Sequence, residues 1–200
     1  MIGEVVMKRI ISLMLAILTV MMLFAGCDSK QDPNAPDGYQ IASGEDADYT
    51  LFVPMDWIVE KSTLYTSAYF SKGKDATSIS VTAFGADFAD PTVEAWWAEY
   101  SEEFAATFSS FEVVSEEDAK LGGLDAKKYT FTATLGKGEE AETSEDETTA
   151  AAVSEGKYNF VCVATVKDTY IYYMLYTSTP EYFETHLDTL GEVINYFEFK

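Results

Sequence analysis

The sequence predicts an α+β fold in one domain, an antiparallel β-sheet flanked by helices over residues 39–200. Three observations predict it. Several runs alternate apolar and polar residues, the signature of a strand in a sheet. The links between neighbouring runs are short and rich in turn residues, which favours antiparallel hairpins. Two other stretches repeat apolar residues at three- and four-residue spacing, and these helical stretches stand apart from the strand runs rather than alternating with them.

The elements follow in order. Tyr49-Thr50-Leu51-Phe52-Val53 reads as a strand stopped by Pro54, with Trp57 just beyond. Leu64 to Ser71 and Thr77 to Phe84 are two more, joined by the turn Lys72-Gly73-Lys74-Asp75. In the second, Ile79, Val81 and Ala83 alternate with Ser78, Ser80 and Thr82, as expected if one face of the sheet is wet. Asp90-Pro91 opens a helix to about Phe108, since an aspartate caps free amides and proline fits the first turn. Val93, Trp96, Trp97, Tyr100, Phe104 and Phe108 form its apolar stripe; two adjacent tryptophans on such a stripe either line a ligand pocket or anchor the core, and core is the expectation here.

Phe111 to Val114 and Ala126 to Leu135 are strands on either side of the turn Leu121-Gly122-Gly123-Leu124. Gly136 to Gly156 holds six acids between Glu139 and Glu147 and is expected to be a surface loop inserted in the domain. Lys157 to Val166 and Thr169 to Thr177 form the next hairpin, turning at Lys167-Asp168. Thr179-Pro180 starts a second helix to about Asn195, with Phe183, Leu187, Leu190 and Ile194 on one face. A short strand, Tyr196 to Phe199, closes the chain.

Ahead of this domain lies an address. Lys8 and Arg9 precede an uncharged run of 15 residues from Ile10 to Phe24, then Ala25, Gly26 and Cys27. Basic start, apolar middle and small-residue end make a secretory signal. The run would cover only about 22 Å of a bilayer core roughly 30 Å thick, so a permanent span is the weaker reading. Glu4 is out of place in a basic leader, so translation is expected to begin at Met7. The segment Leu23-Phe24-Ala25-Gly26-Cys27 resembles the lipobox of bacterial lipoproteins, with Phe24 where that pattern usually has leucine. The resemblance implies cleavage after Gly26 and a diacylglycerol on Cys27. Residues 1–26 are then the signal peptide and 27–38, with Pro33, Pro36 and Gly38, a flexible tether. The chain is expected at the extracytoplasmic face of the cell membrane, held there by the lipid.

Charge narrows the partners. The chain carries −21, and removing residues 1–26 takes away Lys8, Arg9 and Glu4, a net +1, leaving −22. Nucleic acid is excluded because its phosphates would be repelled. An aromatic share of 14% argues for a packed core rather than disorder. With Cys27 acylated, Cys162 has no partner for a disulfide, and its strand-like surroundings make it a small buried hydrophobe.

The domain also resembles the PsbP-like family. Leu51-Phe52-Val53-Pro54 followed by Trp57 is similar to that family's opening, and Tyr173-Met174-Leu175-Tyr176, Pro180-Glu181-Tyr182-Phe183 and Phe197-Glu198-Phe199 to its ending. The resemblance covers most of residues 39–200 and implies an α/β/α sandwich. Its best-known members are extrinsic photosystem proteins, and a distant relative binds a nuclear-transport GTPase; neither role follows from fold alone. The family supplies no catalytic motif.

No catalytic, metal or cofactor site is expected. His186 is the one histidine, too few nitrogen ligands for a zinc site or a triad, and is placed at a surface or boundary position. Gly122-Gly123 lacks a phosphate-cradling pattern, and the acidic segments lack calcium-loop spacing. The expected function is a non-enzymatic binding or assembly module for a protein or small solute. The alternative is an envelope hydrolase using carboxylates in a cleft.

Overall fold

The structure is a computed structural model and describes residues 32–61, 65–70, 72–86, 91–135 and 156–200. Its centre is a seven-stranded antiparallel sheet in the order β4-β5-β6-β10-β9-β8-β7. The strands are β4 (Ile58–Lys61), β5 (Tyr65–Tyr69), β6 (Ser78–Gly85), β7 (Ser109–Leu121), β8 (Leu124–Leu135), β9 (Gly156–Lys167) and β10 (Tyr170–Ser178). Turn chemistry sets the register. Gly122 and Gly123 take φ +57° and +83°, so β7 folds onto β8 with Leu121 opposite Leu124. That left-handed backbone suits glycine. Gly122 is held by space as well, since a Cβ there would lie 2.5 Å from Cδ2 of Phe199. Asp168, at φ +57°, does the same for β9 and β10, and Gly73 turns the chain between Lys72 and Asp75.

One face of the sheet is covered by helix α1 (Val93–Thr107). It starts at Val93, not Pro91, because Thr92 is the cap: its Oγ1 accepts from the Ala95 N–H at 3.1 Å. Asp90 lies outside the described residues. Val93, Trp96, Trp97, Tyr100 and Phe104 are buried, as their spacing predicts. Trp97 stacks on Tyr129 with centroids 3.9 Å apart and planes 8° from parallel, and Phe131 stacks on Phe160 at 4.8 Å.

The other face is closed by smaller pieces. These are β1 (Tyr39–Ile41) paired with β3 (Phe52–Pro54), β2 (Tyr49–Thr50) paired with β11 (Glu198–Phe199), a 3-10 turn (Phe183–His186) and helix α2 (Leu187–Tyr196). The strand expected over Tyr49 to Val53 is therefore two strands that change partner at Leu51. The Leu51 carbonyl accepts from Ala42, and its N–H donates to Ser43 Oγ. Strands β1 and β4 have no counterpart in the sequence reading. The expected wet face of β6 is also corrected. Ser78, Ser80 and Thr82 are buried on the side where Trp96 meets Phe84 and Tyr173. Among the described residues no helix is long and apolar enough to cross a membrane.

Candidate functional site

Two regions concentrate side chains capable of chemistry. The first is interior and was not foreseen. His186 is not at the surface: it is buried, 8% exposed, in the core between α2 and the sheet. The reason is visible in the spacing, because Phe183, His186, Leu190 and Val193 recur at three- and four-residue intervals and all are buried. A buried imidazole needs a polar partner. His186 Nε2 donates to Asp75 Oδ2 at 2.7 Å, across 111 residues of sequence. The other carboxylate oxygen accepts from the Thr77 N–H at 3.0 Å and the Thr77 hydroxyl at 2.7 Å. The Thr77 and Ser178 hydroxyls are 2.8 Å apart. The imidazole sits edge-on to Trp57 and 4.6 Å from the Phe70 ring. Both carboxylate oxygens are thus occupied, the bond to His186 fastening the turn after β5 to the start of α2, and the Thr77–Ser178 contact fastening that turn to the end of β10.

The second region is a surface groove of about 940 Å³ between the first turn of α1 and the β7–β8 hairpin. Val93, Leu124 and Val166 give it an apolar lining, and Glu94, Asp118 and Lys127 its charge. The pairing of Asp118 with Lys127 across the two strands sets the geometry. Lys127 Nζ lies 2.8 Å from Asp118, 3.5 Å from Glu116 and 3.8 Å from Glu94. Its hydrogen bond to Asp118 raises the lysine above its ordinary value and holds the Asp118 carboxyl below the usual range. On the adjacent pair of residues, Lys128, 2.9 Å from Glu117, holds the Glu117 carboxyl below its usual range. A general acid needs a carboxyl raised toward neutrality. These are lowered, so they act as fixed negative charges.

The remaining expected positions fall simply. Cys27, the expected lipid site, lies outside the described residues, as do residues 136–155 of the acidic insertion. Cys162 is fully buried and burial pushes its thiol up, which leaves it unreactive. Trp96 and Trp97 are core, as expected.

No protein-family model and no curated protein sequence matches the chain. Solved structures do resemble it. The solution structure of cyanobacterial PsbP, CyanoP, from Synechocystis sp. PCC 6803 is similar with a TM-score of 0.56 at 11% identity, covering 88% of this chain and 100% of that one. The protein of unknown function PA94 from Pseudomonas aeruginosa gives 0.51 at 13% identity, over 79% of this chain and 94% of its own. The Ran-binding protein Mog1p from Saccharomyces cerevisiae gives 0.50 at 11% identity, over 80% and 95%. A seven-stranded antiparallel sheet carrying two helices is thus the PsbP-like, Mog1p-like fold that the sequence resemblance implied.

Proposed function

We propose that the chain is an extracytoplasmic, lipid-anchored binding or assembly module with no catalytic activity, held at the membrane through Cys27. The observation that carries this reading is Ala25-Gly26-Cys27 at the end of an uncharged run behind Lys8 and Arg9. Two acyl chains, each methylene contributing about 0.8 kcal/mol, anchor stably where one would not. The fold supports binding as a use, since Mog1p, which shares it, is a Ran-binding protein. The lowered, exposed carboxyls of Glu117 and Asp118 favour charge-based recognition over acid catalysis.

The test is fractionation of cells fed labelled palmitate. The wild-type chain is expected in the membrane fraction carrying label, and Cys27→Ser unlabelled and released from it. A Cys27→Ser chain that stays membrane-bound would refute the anchor. Hydrolysis of an envelope substrate by the purified chain, abolished by Glu94→Gln or Asp118→Asn, would refute the non-enzymatic part.

A further inference from the structure

The two edges of the main sheet differ in a way that bears on recognition. Strand β4 ends it on one side with only 4 residues. Short edges are a common way to discourage unwanted pairing. Strand β7 ends it on the other side with 13 residues, and among the described residues no strand pairs with its outer edge. Register irregularities fall between Ser109 and Glu112 and between Val113 and Ser115. From Ser115 to Leu121 the pairing with β8 runs without interruption, from Ser115 opposite Thr130 to Leu121 opposite Leu124. That stretch is a regular strand with one row of backbone donors and acceptors turned outward.

Two features sit on this edge. Val113 and Val114 are adjacent and 43% and 61% exposed, at the second irregularity, just before the regular stretch. The strand also carries Glu112, Glu116, Glu117 and Asp118 against a single Lys120. Glu116, Glu117 and Asp118 are half or more exposed even with Lys127 and Lys128 beside them. A second copy of the chain pairing antiparallel over Ser115–Leu121 would bring three carboxylates and one lysine against the same set, a net like-charge repulsion between directly opposed strands. A cationic segment meets the opposite situation, gaining backbone bonds, neutralised charge and an apolar contact at the valines.

We infer that the outer edge of β7, over Ser115–Leu121, takes up an extended polypeptide segment with alternating basic and apolar side chains as an added strand. This rests on the binding-module reading and names the chemistry of its partner. Basic side chains of the segment lie along Glu116 and Asp118, which share one face of the strand with Lys127, and an apolar one covers Val113 and Val114.

The experiment is hydrogen exchange of the full chain in nonionic detergent, with an end-blocked octapeptide of alternating lysine and valine as the probe. Amides within Ser115–Leu121 are expected to slow about tenfold or more at peptide near 1 mM, a concentration that detects even weak pairing. The protection is expected to fall by about tenfold between low salt and roughly 0.5 M, where exposed charges are screened. Glu116→Gln with Asp118→Asn, at exposed positions on one face of the strand, is expected to weaken it about threefold to tenfold. Equal protection by a glutamate–valine octapeptide, protection on β4 instead, or none at all would overturn the inference. Labelled, membrane-bound chain with no protection on β7 would sink this inference alone; unlabelled chain with protected β7 would sink the anchor alone.

Discussion

The two faces of the main sheet are sealed by different physics. On the α1 side one helix lays a sheet of rings over the strands, with Trp97 on Tyr129 and Trp96 on Tyr173, centroids 3.9 and 5.2 Å apart. On the other side the apolar layer mixes aliphatic residues such as Val81, Val163, Met174 and Val193 with rings contributed by several separate short elements, among them Tyr49, Trp57, Phe183 and Phe197. It is bound at intervals by side-chain hydrogen bonds: Tyr49 to Thr66, Tyr176 to the Phe183 carbonyl, and His186 to Asp75. A helix satisfies its own backbone and needs only a matching surface. Short strands, turns and helix starts leave backbone groups unpaired and loosely aimed, so side chains must complete them.

Substitutions break this comparison in order of size. Trp97→Ala should cost about 4 kcal/mol by removing a stacked ring and leaving a cavity, read from urea unfolding. Asp75→Ala should cost about 3 kcal/mol through the polar route, because it strands Thr77 and His186 rather than opening much space. Asp75→Asn, which keeps an acceptor, should cost clearly less. A loss for Asp75→Ala as small as that of an exposed acid would remove the polar side of the comparison.

This contrast is also what separates legible from illegible in the sequence. The ring-covered face was readable because Val93, Trp96, Tyr100 and Phe104 keep helical spacing, and Tyr129, Phe131 and Ala133 keep strand spacing. The hydrogen bonds that fasten the other face depend on partners far apart. Nothing local tells Asp75 that it will meet His186, although the place of His186 in the stripe with Phe183 and Leu190 was a signal for its burial. Strand β1 is illegible in the sequence because three residues show no periodicity and are held by pairing with β3. Gln40 adds to this hold, its amide donating to the carbonyls of Pro54 and Trp57 at 3.1 and 2.8 Å. The expected strand Phe111 to Val114 proved the middle of a longer one. Its extension, Ser115 to Lys120, is an exposed edge with three consecutive acids and so lacks the alternation that reveals half-buried strands. The candidate groove was illegible for the same reason, since its charges come from α1, β7 and β8 together.

Two smaller effects sharpen the picture. Gly122→Ala should cost about 2 kcal/mol, since the new methyl meets left-handed backbone and the Phe199 ring together. A thermal melt compared with Gly123→Ala, where no atom lies within 4 Å, isolates the contact from the shared backbone term. The smallest is the acid limb. Lys127 and Lys128 hold Asp118 and Glu117 below their ordinary values. Carboxyls depressed in the folded state contribute stability above their unfolded values, near pH 4, and lose it as pH falls through the folded ones. Both carboxyls face solvent, so Lys127→Gln with Lys128→Gln should slightly flatten the loss of melting temperature below about pH 4.5.

The direct test of the difference between the faces is a double-mutant cycle on the pair that spans 111 residues. Asp75→Ala and His186→Ala should together cost less than the sum of the two alone, by about 1–3 kcal/mol. Costs that add to within about 0.5 kcal/mol would mean the two side chains are energetic strangers, and would contradict a face fastened by polar contacts.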